Sequence, residues 1–151
     1  MRFERINPMT GQPASTAAAM TPAEARAAAD RAAAAFPAWS ATGPNARRAI
    51  LGRAAEALEK RRHAFVKAMM DEIGATAGWA MFNLMLAAGM VREAAALTTR
   101  IAGEVIPSDK PGCLAMSIRE PVGVVLGIAP WNAPIILGVR AIATPLACGN
   151  T

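Results

Sequence analysis

The run Val122-Gly123-Val124-Val125-Leu126-Gly127-Ile128 carries no charge and is built mainly from β-branched and small residues. It suits a parallel strand covered on both faces, because a strand with one wet face would alternate polar and apolar side chains. Ala129-Pro130-Trp131-Asn132-Ala133-Pro134 interrupts the run twice with proline. An apolar stretch then continues to Cys148, broken mainly by Gly138, Arg140, Thr144 and Pro145. Strand, polar turn and buried helix are the opening of a doubly wound α/β sheet, whose ligands sit at the carboxyl ends of its strands. The turn is where chemistry is expected.

Asn132 offers that turn a neutral amide donor at a fixed place, which is what a developing oxyanion needs once water is excluded. The competing reading is that Trp131 packs and Asn132 merely shapes the turn, as asparagine often does.

A chain of 151 residues can bury one ordinary core. Its net charge of +5 does not form a nucleic-acid patch, because Arg47, Arg48, Arg53, Lys60, Arg61 and Arg62 are interspersed with Glu56 and Glu59. Glu56 and Lys60 are spaced for an i,i+4 pair on a solvated helix face. There is no tyrosine, and no aromatic residue is interleaved with these cations as a stacking platform would require. Cys113 and Cys148 lie in separate segments, and His63 has no ligand partner at metal-binding spacing, so neither a disulfide framework nor a metal site is expected. Charges at Arg2, Glu4 and Arg5 stand where a signal peptide needs an apolar core, and the apolar run before Cys148 is too short and interrupted to span a bilayer. The expectation is a soluble cytoplasmic protein with no membrane or nucleic-acid partner.

Asn7-Pro8-Met9-Thr10-Gly11-Gln12 is a turn cluster. Thr21-Pro22-Ala23-Glu24 is a capping box with proline at the first helical position, and it opens an alanine-rich helix expected over 22–36 and packed closely on a neighbour. Further helices are expected over 44–62, 64–73 and 76–101, then an extended arm over 112–120, a strand over 122–128 and a helix over 133–147. In the longest helix, Trp79, Phe82, Leu86, Met90, Ala94, Leu97 and Ile101 form the expected apolar stripe. The arm has no obvious partner strand in the sequence.

Taken together, Glu120-Pro121-Val122-Gly123-Val124-Val125, Pro130-Trp131-Asn132-Ala133-Pro134 and Pro145-Leu146-Ala147-Cys148-Gly149-Asn150-Thr151 closely resemble the NAD(P)-dependent aldehyde dehydrogenase superfamily. Asn7-Pro8-Met9-Thr10-Gly11 resembles the element between that family's short N-terminal strands. The residues around Asn132 and Gly138-Val139-Arg140 look most like the branch that oxidises salicylaldehyde, vanillin and benzaldehyde. The resemblance implies the N-terminal part of a longer enzyme: a helical part and the first strand-helix unit of a Rossmann-like, doubly wound parallel sheet, incomplete within residues 1–151.

On the same resemblance, a cysteine thiolate adds to an aldehyde, Asn132 holds the oxyanion, hydride passes to NAD or NADP, with NAD favoured, and a glutamate activates water. Ile128, Ala129, Pro130, Trp131 and Asn132 would border the nicotinamide. The segment 112–120 would enter an oligomerisation hairpin of a homo-oligomer, a dimer or tetramer. Cys148 matches the family's helix-to-strand turn rather than its nucleophile segment, so the nucleophile and the glutamate are expected outside this chain, which alone should be inactive. Trp79 is either a wall of an aromatic aldehyde's pocket or core packing. Arg140, the one charge in its apolar helix, is either paired structurally or faces the ligand. The alternative from a different class is an inactive, truncated relative acting as a helical binding or assembly module.

Overall fold

The structure is a computed structural model that describes residues 2–151. Strands β1 (Arg2–Ile6) and β2 (Pro13–Ala18) precede helices α1 (Pro22–Ser40), α2 (Pro44–Lys60), α3 (Arg62–Ile73) and α4 (Ala77–Leu97); strands β3 (Glu104–Ile106) and β4 (Ala115–Ser117) and helix α5 (Pro134–Ala147) follow. The turn cluster joins β1 and β2 as an antiparallel hairpin. Asn7 Oδ1 accepts from the Met9 and Thr10 N–H groups at 2.8 and 3.2 Å, and Gly11 takes the positive φ of 70° that closes the turn.

The capping box forms: Thr21 N–H donates to Glu24 Oε2 at 2.7 Å and Glu24 N–H to Thr21 Oγ1 at 3.3 Å. Helix α1 nevertheless runs past Phe36-Pro37 to Ser40, further than the sequence signals suggest. Pro37 forfeits one helical bond, but the last turn is tied down because Trp39 Nε1–H donates to the Leu146 carbonyl at 3.1 Å. The close alanine packing expected of α1 is not realised among the described residues, since none of its residues is buried.

Helix α4 is the centre of the core, and its buried face corrects the expected stripe. Ala80, Leu84, Ala87, Ala88, Val91 and Ala95 are buried, whereas Trp79, Phe82, Leu86 and Leu97 are exposed. Small side chains let α4 lie close to α2 and α5, its main neighbours. Of the expected stripe, Ala94 is buried and Met90 packs against the core, while its largest members are left on the outer face. The helix also stops at Leu97 rather than 101, where Thr98 turns back to donate its hydroxyl to the Ala95 carbonyl at 2.8 Å. The expected Glu56–Lys60 pair is replaced by a two-pronged ion pair across helices, Arg92 to Glu59 at 2.8 and 2.5 Å.

The arm does have a partner. Strand β4 pairs antiparallel with β3, Val105 opposite Met116. The strand expected over 122–128 is not formed among the described residues: the segment bends at Gly123, with φ 117°, and is not covered on both faces, Val122 being 87%, Leu126 84% and Ile128 82% exposed. Among the described residues, Asn150 and Thr151 bond to this segment: Asn150 Oδ1 accepts from the Val122 and Gly123 N–H groups at 2.7 and 3.1 Å. Thr151 N–H donates to the Gly123 carbonyl at 3.1 Å and Val125 N–H to the Thr151 carbonyl at 2.8 Å, the slanted pair of bonds of a parallel ladder. Helix α5 lies against this segment, with an added Cβ at Gly127 falling 2.5 Å from the Ala141 Cβ. The segment 122–128, α5 and the backbone bonds to Thr151 thus outline the expected α/β unit.

Candidate functional site

Residues 129–132 leave the extended segment and bend into the N-terminus of α5, where Ala133 takes the N-cap position without a side-chain cap. Asn132 and Trp131 are both exposed, Trp131 at 71%. Among the described residues the Asn132 side-chain amide has no hydrogen-bond partner. It makes no side-chain bond within the turn among the described residues.

The backbone of Asn132 is held from another element. Trp79, on the first turn of α4, donates its indole Nε1–H to the Asn132 carbonyl at 3.3 Å. The ring stacks on Phe82 with centroids 5.5 Å apart and planes inclined by 21°. Trp79 is 42% exposed and borders the turn. Sequence reasoning missed Asn83, which is fully buried, donates Nδ2–H to the Trp79 carbonyl at 3.1 Å and leaves Oδ1 without a partner. A polar residue inside the apolar run of α4 was the signal that marked it.

Arg140 lies two turns along α5, exposed, and forms no hydrogen bond or ion pair among the described residues. The structural pairing expected as one alternative is therefore not present there. No such bond joins it to Trp79 or Asn132 either.

Cys148 caps the far end of the 14-residue helix α5. At 1.5 Å per residue the helix separates it from the Asn132 turn by about 21 Å, too far for its thiolate to attack a carbonyl whose oxygen Asn132 holds. Cys113 is an exposed free thiol on the loop before β4, His63 is exposed, and no metal-binding cluster occurs among the described residues.

Ile128 and Trp131, expected to border a nicotinamide, are both exposed. The phosphate end finds no cradle here, because the missing Cβ of Gly127 is filled by Ala141 rather than open to a ligand.

A segment, a turn and a helix in succession, with the turn braced from α4, are the start of an α/β unit. Residues 1–151 match the aldehyde dehydrogenase family, and the chain belongs to that family. It is 59% identical over 149 residues to a vanillin dehydrogenase of Pseudomonas sp., covering 99% of this chain and 31% of that protein. The structure of a salicylaldehyde dehydrogenase from Pseudomonas putida complexed with salicylaldehyde superposes with a TM-score of 0.97 at 44% identity, covering 100% of this chain and 31% of that one. An NAD-dependent benzaldehyde dehydrogenase from Corynebacterium glutamicum superposes with a TM-score of 0.93 at 35% identity, over 99% of this chain and 32% of that one. The chain thus spans under a third of the length of these proteins.

Proposed function

We propose that this chain supplies the oxyanion-holding and nicotinamide-facing part of an enzyme that oxidises an aromatic aldehyde, of the salicylaldehyde, benzaldehyde or vanillin kind, to its carboxylic acid with NAD or NADP, NAD being favoured. The observation that carries this reading is the Asn132 amide, free of partners and mounted on a backbone that Trp79 braces. A carbonyl placed beside it gains a donor as a thiolate adds and its oxygen becomes anionic. That thiolate, and the glutamate that activates water, come from outside residues 1–151. The cofactor supplies a hydride acceptor; Ile128, Ala129, Pro130, Trp131 and Asn132 form the surface against which its ring would lie.

Trp79 and Arg140 are assigned to the aldehyde's pocket, the indole facing an aromatic ring and the unpaired guanidinium facing a phenolic oxygen. The β3–β4 hairpin, with Val105 74% and Leu114 70% exposed beside it, is assigned to homo-oligomer contacts. The setting is soluble and cytoplasmic. A second reading, an assembly module without activity, is favoured by the bare apolar segment 122–128.

Asn132→Ala in the intact protein tests the first reading. It should lower turnover of salicylaldehyde about 100-fold or more while leaving the KM for the cofactor near its original value. Full turnover in that variant would remove the oxyanion role. Purified residues 1–151 should form no reduced cofactor from the same aldehyde.

A further inference from the structure

Asn132 is useful as an oxyanion donor only if its amide points the same way in every turnover, yet almost nothing local fixes it. Residues 129–132 make no ladder bonds, Pro130 and Pro134 cannot donate, and the first helical bond of α5 starts beyond Asn132, from Leu137 N–H to the Ala133 carbonyl at 2.9 Å. Among the described residues, the indole of Trp79 is the one hydrogen-bond partner of Asn132.

Trp79 in turn is held firmly. Its N–H donates to Thr76 Oγ1 at 3.2 Å, its carbonyl accepts from buried Asn83 at 3.1 Å, and its ring face rests on Phe82. Asn83 is a costly residue to keep there, since its Oδ1 is buried without a donor. A leucine would fill the space without that penalty, so stability does not account for the amide.

We propose that Trp79 is a positioning residue for Asn132: its indole N–H fixes the Asn132 carbonyl, and so the direction of the side-chain amide, with Asn83 locking the helical turn that carries Trp79. This rests on the oxyanion reading of Asn132 and adds to the pocket-lining role of Trp79 a contribution that does not depend on which aldehyde is bound. Losing the bond lets the turn drift. Small displacements of a catalytic group cost rate steeply, so a drop of about ten-fold in kcat is expected.

The test uses the intact protein, benzaldehyde and propanal as substrates, and the variants Trp79→Phe, Asn132→Ala and their combination. Trp79→Phe keeps a ring to stack on Phe82 but has no N–H. Expected is a fall of about ten-fold in kcat with both aldehydes, an unchanged KM for the cofactor, and less than about a two-fold further effect once Asn132 is alanine. An equal loss in both backgrounds, a change confined to the KM for benzaldehyde, or no loss at all would overturn the proposal while leaving the oxyanion reading in place. Asn132→Ala with full turnover would overturn both. If thermal melting shows Trp79→Phe to be misfolded, benzothienylalanine at position 79, which keeps the indole's shape and lacks only the N–H, decides the matter by the same outcomes.

Discussion

The guanidinium of Arg47 on α2 donates Nε–H to the Ala147 carbonyl of α5 at 3.1 Å, at the point where α5 ends. The same side chain donates Nη1–H to the Thr42 carbonyl and, at 3.5 Å, to Ser40 at the end of α1. Arg47 is only 9% exposed and forms no salt bridge among the described residues. Its charge is balanced instead by the negative ends of two helices, whose last carbonyls lack helical partners. One buried cation therefore clamps α1, α2 and α5 together.

Arg47→Met should lower the stability of the intact protein by about 2–3 kcal/mol, because methionine fills the space but leaves these carbonyls without a donor. Denaturant unfolding checks this. A loss below about 0.5 kcal/mol would mean that water replaces the guanidinium without cost.

Arg140 sits exposed on α5 with no partner among the described residues, so removing it should cost little stability. Arg140→Ala should instead shift the ratio of kcat/KM between salicylaldehyde and propanal toward propanal, by about ten-fold, the value of one charge-assisted hydrogen bond. Benzaldehyde, which lacks the phenolic oxygen, should be affected less. An unchanged ratio would return Arg140 to the surface.

The ion pair of Arg92 and Glu59 gives a pH signature. The hydrogen bonds from Arg92 hold the Glu59 carboxyl below its ordinary value of 4.5, and the same contact holds the guanidinium above its own. A carboxyl depressed in the folded state adds stability above its unfolded pKa and loses it as pH falls through the folded one. The wild-type protein should thus exceed Arg92→Gln in melting temperature at pH 7, with the gap closing below about pH 4. Both groups reach solvent, so 1 M salt should shrink the gap as well. A gap that is constant from pH 7 to pH 3 would show that Arg92 acts through packing alone.

Local chemistry was readable wherever a residue type has few alternatives. The Thr21–Glu24 box and the Asn7 turn follow directly from side chains that satisfy nearby backbone groups. What sequence did not reveal was decided by tertiary contacts. On α4 both the large stripe through Trp79 and the small one through Ala80 have helical spacing, and only the closeness of α2 and α5 selects the small one for burial. Likewise Pro37 marks a helix end until Trp39 is seen bonded to Leu146. Asn132 and Trp79 each stand out in the sequence, but a bond across 53 positions, from an indole to a backbone carbonyl, leaves no local pattern.

Gly127 provides the sharpest test of how α5 and the Asn132 turn are aligned. An added Cβ there would stand 2.5 Å from the Ala141 Cβ and 3.4 Å from the Ala141 carbonyl oxygen, the former far inside van der Waals contact. Neither partner is the end of a flexible chain, so α5 itself must move. Overpacking of this kind typically costs about 1–3 kcal/mol. Because the N-terminus of α5 carries Asn132, Gly127→Ala should also reduce turnover. Ala141→Gly restores room for the new methyl, so the double variant Gly127→Ala, Ala141→Gly should recover turnover and most of the stability lost beyond the cost of a glycine in a helix, about 1 kcal/mol. Recovery of stability without turnover would show that the strand-to-helix distance does not set the position of Asn132.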